Sequence, residues 1–201
     1  MSTFISNADT QPDLLHSLIE KALRLGADAA DVLIVNGVSL NVSQRMGNRE
    51  DLERAEANDL GLRVFIGKRQ AIVSSTDTST DTLNELVERA VAMAKVATED
   101  PFCGLADENF LAKNWKELDL YDSNESTAEE LYNRAAIAED AARAHPGITN
   151  SEGADASWST NTVHLATSHG FCGSYKSSSY SISTAVVAGE GTEMERDYDY
   201  S

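Results

Sequence analysis

The chain has 201 residues, with 33 acidic against 16 basic side chains, a formal net charge of -17, 41% hydrophobic residues and 24% charged residues. Ordinary hydrophobic usage at this length supports a folded core and argues against wholesale disorder. The charge argues against direct binding to nucleic acid or to anionic membranes, since both depend on Lys and Arg displacing counterions.

Two cysteines, Cys103 and Cys172, stand far apart with no His or second Cys at metal-ligand spacing, so neither a disulfide scaffold nor a zinc ribbon fits. The N-terminus has no basic n-region and no apolar h-region, and no later apolar run approaches the ~18 residues a membrane span needs. A cytoplasmic protein with reduced thiols is expected.

Pro12 and Gly26 bracket a first amphipathic helix over Asp13 to Leu25, with Leu14, Leu15, Leu18, Ala22 and Leu25 on one face. From Ala30 to Val42 the apolar residues read as two strands broken at Asn36-Gly37, a strong hairpin dipeptide. Arg45 to Asn58 is polar and acidic, and between hairpins it reads as an exposed strand. Leu60, Leu62, Val64 and Ile66 alternate with polar or smaller neighbours, Gly67-Lys68 supplies a II′ turn, and Arg69 to Ser75 returns. Thr82 and Glu85 stand at capping-box spacing ahead of a helix carrying Leu83, Leu86, Val87, Ala90, Ala94 and Ala97.

Thr98 to Ser126 reads as a long surface connection, marked by Pro101, Gly104 and acidic residues, and pinned to the body by Trp115, Leu118, Leu120 and Tyr121. Ser126 and Glu129 predict a capping box for a helix with Ala128, Leu131, Ala135, Ala138 and Ala142 on a narrow face, ending near His145-Pro146-Gly147. Glu20 with Arg24, Glu85 with Arg89, Glu130 with Arg134 and Glu139 with Arg143 have the i,i+4 spacing of exposed helix pairs. Beyond Ile148 the pattern is all strand: Val163 and Leu165 alternate, Ser168-His169-Gly170 turns, Tyr175 to Val187 is Ser- and Tyr-rich, and Glu193 to Tyr200 is last. Helix, four or five strands, helix, then helix and four more strands predict an α+β fold, with helices packed on a largely antiparallel, meander-like sheet.

No catalytic or metal site can be assigned. None of the four histidines is followed by Glu, and His164 and His169 sit five apart across a strand and a turn, sharing no face. Ser168 and His169 are adjacent in extended chain and so point apart, while Ser177-Ser178-Ser179 reads as polar sheet surface. The glycines lack phosphate-loop spacing.

Gly61-Leu62-Arg63-Val64-Phe65, Ser74-Ser75-Thr76-Asp77, Ile148-Thr149-Asn150-Ser151-Glu152-Gly153, Ser168-His169-Gly170 and Met194-Glu195-Arg196-Asp197-Tyr198 occur in this order. Together they resemble the N-terminal region of the TldD/PmbA family (modulator of DNA gyrase) over nearly the whole chain. The Ser-Ser-Thr-Asp and Met-Glu-Arg-Asp-Tyr strings look more like the PmbA branch, also called TldE. The resemblance implies a non-metal subunit of a heterodimeric cytoplasmic zinc peptidase that degrades peptides and unfolded polypeptides and matures peptide antibiotics. Zinc is then expected in a TldD-like partner, and none in this chain. The alternatives are the N-terminal domain of a TldD-like catalytic subunit, and a non-enzymatic interaction module. The resemblance also makes residues 1–201 the N-terminal α+β domain of a longer protein whose C-terminal half is absent, any sub-boundary falling in the 98–126 connection.

The last strand ends with no closing turn, so an edge with unpaired backbone groups is expected, able to pair with the absent C-terminal half or to help line a channel where an extended peptide adds as a strand. Arg196 and Tyr198 are the candidate contacts there, Arg196 for a substrate carboxylate and Tyr198 for packing. The plainer reading is that Arg196 pairs with Glu195 or Asp197 on a solvated surface.

Overall fold

The structure, a computed structural model, describes residues 11–111, 116 and 118–201. Among them lie α1 (Gln11–Arg24), β1 (Ala29–Arg45), β2 (Asn48–Ile66), β3 (Arg69–Ser75), α2 (Thr80–Val96), α3 (Ala128–Arg143), β4 (Ile148–Thr167), β5 (Cys172–Ala188) and β6 (Glu195–Tyr200). The strands form one sheet in the order β3-β2-β1-β4-β5-β6. Tight turns join β1 to β2, β2 to β3 and β4 to β5, as antiparallel neighbours allow, and the class is α+β. The strands are fewer and longer than expected, with three on either side of the helix pair α2 and α3.

The fold divides into two compact units. One comprises Met1–Asn36, Ala57–Asp119 and Thr162–Tyr175, the other Gly37–Glu56, Leu120–Asn161 and Lys176–Ser201. The long strands β1, β2, β4 and β5 therefore pass from one unit into the other.

In the first unit, Pro12 and Asp13 open α1, Lys21 and Arg24 sit in its last turn, and Gly26 at φ 101° ends it. Its buried face, Leu15, Leu18, Ile19 and Ala22, meets Leu83, Leu86, Val87 and Ala90 of α2 in a core shared with Val32, Ile34, Leu60, Leu62 and Val64. Lys21 ties the helices further, with Nζ 2.8 Å from Asn84 Oδ1 and 3.1 Å from Glu88 Oε1. The β2–β3 hairpin forms as predicted, with Ile66 opposite Arg69 and Gly67 at φ 57°.

The start of α2 differs in detail. Its N-cap is Ser79, whose side chain does not cap, and Asp77 serves instead. Asp77 accepts from the Ser79 amide at 2.8 Å and from the Thr82 hydroxyl at 2.7 Å, so Thr82 is engaged by Asp77. These bonds, that from the Ser79 amide foremost, hold the Asp77 carboxyl below its usual range.

The hairpin expected at Asn36-Gly37 does not form, because β1 runs unbroken from Ala29 to Arg45. An Asn-Gly turn needs its own flanks to pair, whereas both flanks of Gly37 lie between β2 and β4. Gly37 answers a close approach: a Cβ there would come 2.5 Å from Asn161 Oδ1. The reversal comes at Met46-Gly47, where φ is 52° and 77°, both positive as a type I′ turn requires. The polar stretch that follows is strand as expected, exposed from Asn48 to Asp59 and continuous with Leu60–Ile66.

In the second unit, the capping box of α3 is Thr127 with Glu130, one residue beyond the predicted pair. Glu130 Oε2 accepts from the Thr127 amide at 2.8 Å, while Glu129 is turned to Arg49 Nη2 at 2.6 Å. The buried face of α3, Leu131, Tyr132 and Ala135, packs on Leu40, Val42, Ala154, Ala156 and Trp158. Among the described residues the connection ahead of α3 is tied down differently from expectation. Leu118 is exposed, Trp115 lies outside the described residues, and the ties include Ser178 N to Leu120 O, Asp122 N to Ser178 Oγ and Tyr180 Oη to Asn124 O, each 2.9 Å, with Lys176 Nζ over the Tyr121 ring.

Candidate functional site

β6 pairs with β5 in register Val187 to Arg196, Ala185 to Tyr198 and Ser183 to Tyr200. Among the described residues no strand pairs with its outer edge. Cross-strand partners share a face, so β6 presents two faces of different chemistry. Arg196, Tyr198 and Tyr200 lie on one; the tyrosine rings stack with centroids 6.4 Å apart and are 62% and 74% exposed. The Arg196 guanidinium sits 5.4 Å from the Tyr198 centroid, and its Nε–H donates to Glu152 Oε2 at 2.6 Å. The structure therefore brings the two candidate contacts together, but gives Arg196 a partner other than Glu195 or Asp197. That partner, Glu152, lies on β4 and could not be found from neighbours in sequence.

The other face of β6 carries Asp197 and Asp199, opposite Val186 and Thr184 of β5. These face a groove of about 590 Å³ whose floor and far wall include Ile182 and Val186 of β5, Ala138 and Ala142 of α3, and His145 just beyond the helix. The small side chains predicted to pack α3 tightly on the sheet thus do so only as far as Ala135, and beyond it they border open space. The sequence offers Asp197 only as a possible partner of Arg196 and does not single out Asp199; their alternation with Tyr198 and Tyr200 is the available signal.

A second constellation has its centre at Glu139, which is fully buried. The expected surface pair with Arg143 does not form, and Arg143 Nη1 stands 3.8 Å from Asp140 instead. Glu139 accepts from Ser151 Oγ and the Met46 amide at 2.6 Å each, from Gln44 Nε2 at 3.2 Å and from the Gly47 amide at 3.3 Å. Burial raises its pKa, yet the four bonds prevail and hold the carboxyl below its usual range. An ionised carboxylate with every donor fixed and no exposed surface is a structural lock joining the β1–β2 turn to α3 and β4.

The histidines do not converge. His164 is buried, which pushes its pKa down, while His169 is exposed in the β4–β5 turn. Ser168 is occupied structurally, its Oγ accepting from the Ala30 amide at 3.1 Å and its own amide donating to Ala30 O at 2.8 Å. Among the described residues no group of three His, Cys, Asp or Glu is placed to hold a metal ion, so these residues do not fit a zinc centre. Among the described residues no helix is long and apolar enough to cross a membrane.

The family model for the PmbA/TldA metallopeptidase domain 1 matches residues 30–94, and that for the PmbA/TldA metallopeptidase central domain matches residues 121–201. The chain is 34% identical to metalloprotease PmbA of Escherichia coli O157:H7 over 201 residues, covering 98% of this chain and 45% of that protein. It is 34% identical over 184 residues to a metalloprotease PmbA homolog of Haemophilus influenzae, covering 91% of this chain and 41% of the relative. Among solved structures, a modulator of DNA gyrase from Bacteroides thetaiotaomicron superposes with a TM-score of 0.85 at 24% identity, covering 96% of this chain and 45% of that one. TldE from Thermococcus kodakarensis superposes at 0.77 with 16% identity, covering 93% and 42%, and these two likenesses show the fold. The chain spans a little under half the length of the relatives it matches. It belongs to the TldD/PmbA family and carries that family's N-terminal region.

Proposed function

We propose that this chain is the N-terminal part of a PmbA/TldE-like, non-metal subunit of a two-protein zinc peptidase acting in the cytoplasm on peptides and unfolded polypeptides, including peptide-antibiotic precursors. The observation that carries this reading is the 34% identity with metalloprotease PmbA along nearly the whole chain. The metal belongs to a TldD-like partner, in keeping with the lack of a ligand set among the described residues here. Peptide is handled, not cleaved, by this chain: β6, beside which no strand lies on its outer side among the described residues, offers backbone donors and acceptors to an extended substrate. Arg196 and Tyr198 contact that substrate. Only the Nε–H of Arg196 is given to Glu152, and a guanidinium carries further N–H donors for a substrate carboxylate. A net charge of -17 keeps nucleic acid from being a direct partner.

The experiment is co-expression of the full-length protein with a TldD-like partner, followed by measurement of heterodimer formation and peptide cleavage. The wild-type pair assembles and cleaves. Arg196→Ala and Tyr198→Ala assemble but raise KM by about two- to fivefold, the range for an exposed charged contact. Turnover and assembly unchanged in both variants would remove these residues from the site. Failure to form a complex would overturn the two-subunit reading.

A further inference from the structure

The side of the sheet turned away from the helices differs in chemistry between the two units. In the first unit Val32, Ile34, Leu62, Val64, Val73 and Ala166 pack in the core with α1 and α2, so the side chains that alternate with them point the other way. Those are Leu33 and Val35 of β1, Phe65 of β2, Ile72 of β3, and Val163 and Leu165 of β4. Leu33 is 40% exposed and Ile72 is 63% exposed. The charges set among them are already matched: Arg63 donates to Asp31 through Nε at 3.1 Å and again through Nη2, with its guanidinium 5.0 Å from the Phe65 centroid. A pair satisfied in this way can be covered without leaving a lone charge in an apolar setting.

In the second unit the side away from α3 is polar. Val42, Ala156 and Ile182 pack with α3, and their neighbours Asn41, Ser43, Asp155, Ser157 and Ser181 line a hollow of about 330 Å³ together with Asp51. Neither carboxylate has a cation partner among the described residues, and Asp155 reaches only Ser183 Oγ, at 3.5 Å. Covering this side with protein would leave two charges unpaired, whereas water satisfies them.

Relatives run on for more than as long again, since this chain covers 45% of metalloprotease PmbA of Escherichia coli O157:H7. We infer that the C-terminal half of the protein packs on the apolar side of the first unit, over Leu33, Ile72, Val163 and Leu165, and leaves the polar side of the second unit in water. The same chain is a better occupant than a separate subunit. A tethered half is always at hand, whereas an apolar face kept bare until a partner arrives invites aggregation. The inference rests on family membership and not on the peptidase reading.

The test uses the full-length protein without a partner subunit, so it stands or falls apart from the two-subunit reading. Cys172→Ser removes the exposed thiol of this chain, Cys103 being buried, and exposed thiols of the C-terminal half are replaced in the same way. Ile72→Cys and Ser181→Cys, both at exposed positions of this chain, are then introduced singly and labelled with fluorescein maleimide, circular dichroism confirming that each variant is folded. Accessibility governs the labelling rate, so Ile72→Cys reacts about tenfold more slowly than Ser181→Cys or slower still. The difference persists on dilution of the protein, and Leu33→Cys repeats the protection of Ile72→Cys. Equal rates at positions 72 and 181 would overturn the inference. So would protection of Ile72→Cys that appears only when a TldD-like subunit is added, which gives the face to a partner, or that is lost on dilution, which gives it to a second copy.

Discussion

Glu139→Ala strands four donors at once: the Ser151 hydroxyl, the Met46 and Gly47 amides and the Gln44 side chain. Unmet donors of this kind lead to an expected loss of roughly 2–4 kcal/mol, read from urea denaturation. The same carboxyl gives the protein an acid limit. Its folded pKa lies below the ordinary 4.5, so its contribution is present above that value and is lost as pH falls through the lower, folded one. His164 acts earlier in an acid titration. Burial lowers its pKa from 6.5, so the unfolded chain takes up a proton first and stability falls once pH drops below that value. Urea midpoints should therefore decline in two stages below neutrality, His164→Gln removing the upper stage and Glu139→Gln diminishing the lower, to which Asp77, also held below its usual range, contributes as well. A single stage unaffected by His164→Gln would contradict this.

At the scale of the element, the in-out alternation of β4 slips by one at Gly153, which is buried together with Ser151 and Ala154. Gly153 has φ 115°, and a Cβ on it would stand 2.7 Å from the Gln44 carbonyl oxygen, which is backbone and cannot swing aside. Gly153→Ala should cost roughly 2 kcal/mol or more in thermal or urea unfolding, well beyond the usual Gly-to-Ala change. An unchanged midpoint would show that the strand relaxes around the methyl. What was legible in the sequence follows the range of the forces involved. Leu60 to Ser75 was read correctly because turn residues and alternation act within a few positions. Asn36-Gly37 misled because its turn preference is weaker than the pairing of a 17-residue strand with two neighbours. The α3 capping box was displaced by one because Glu129 answers to Arg49, a residue of another element. Glu139 was read as a surface residue because its partners Gln44, Met46 and Gly47 lie more than 90 positions away. The sequence offers Arg196 and Tyr198 only as candidate contacts, and the partner it could not offer Arg196, Glu152, stands 44 positions away on another strand.

For the whole molecule, 33 acidic side chains against 16 basic ones leave a surplus of repulsion that pairing cannot remove. Raising sodium chloride from about 0.01 to about 1 M shortens the screening length from about 30 to about 3 Å. The surplus repulsion outweighs the exposed ion pairs that salt also weakens, since each of those contributes little. The melting temperature should therefore rise by several degrees across this range, followed by circular dichroism. A melting temperature that falls with salt would mean that pairs such as Arg49 with Glu129 and Arg69 with Glu99 govern the balance instead.

The strand order also bears on how the protein is made. Every buried member of the first core except Ala166 falls between Leu15 and Ala94, so that core can condense while the ribosome is still translating the connection. The second core contains Leu40 and Val42 but otherwise waits for Leu131 to Trp158. Until β4 emerges, the nascent chain holds β1 with one long side unpaired, a template on which other nascent chains could add. The polar run from Asn48 to Asp59, Glu- and Asp-rich and exposed on the adjoining strand, then acts as a guard during synthesis, its charge keeping that waiting ribbon apart from its neighbours on the polysome.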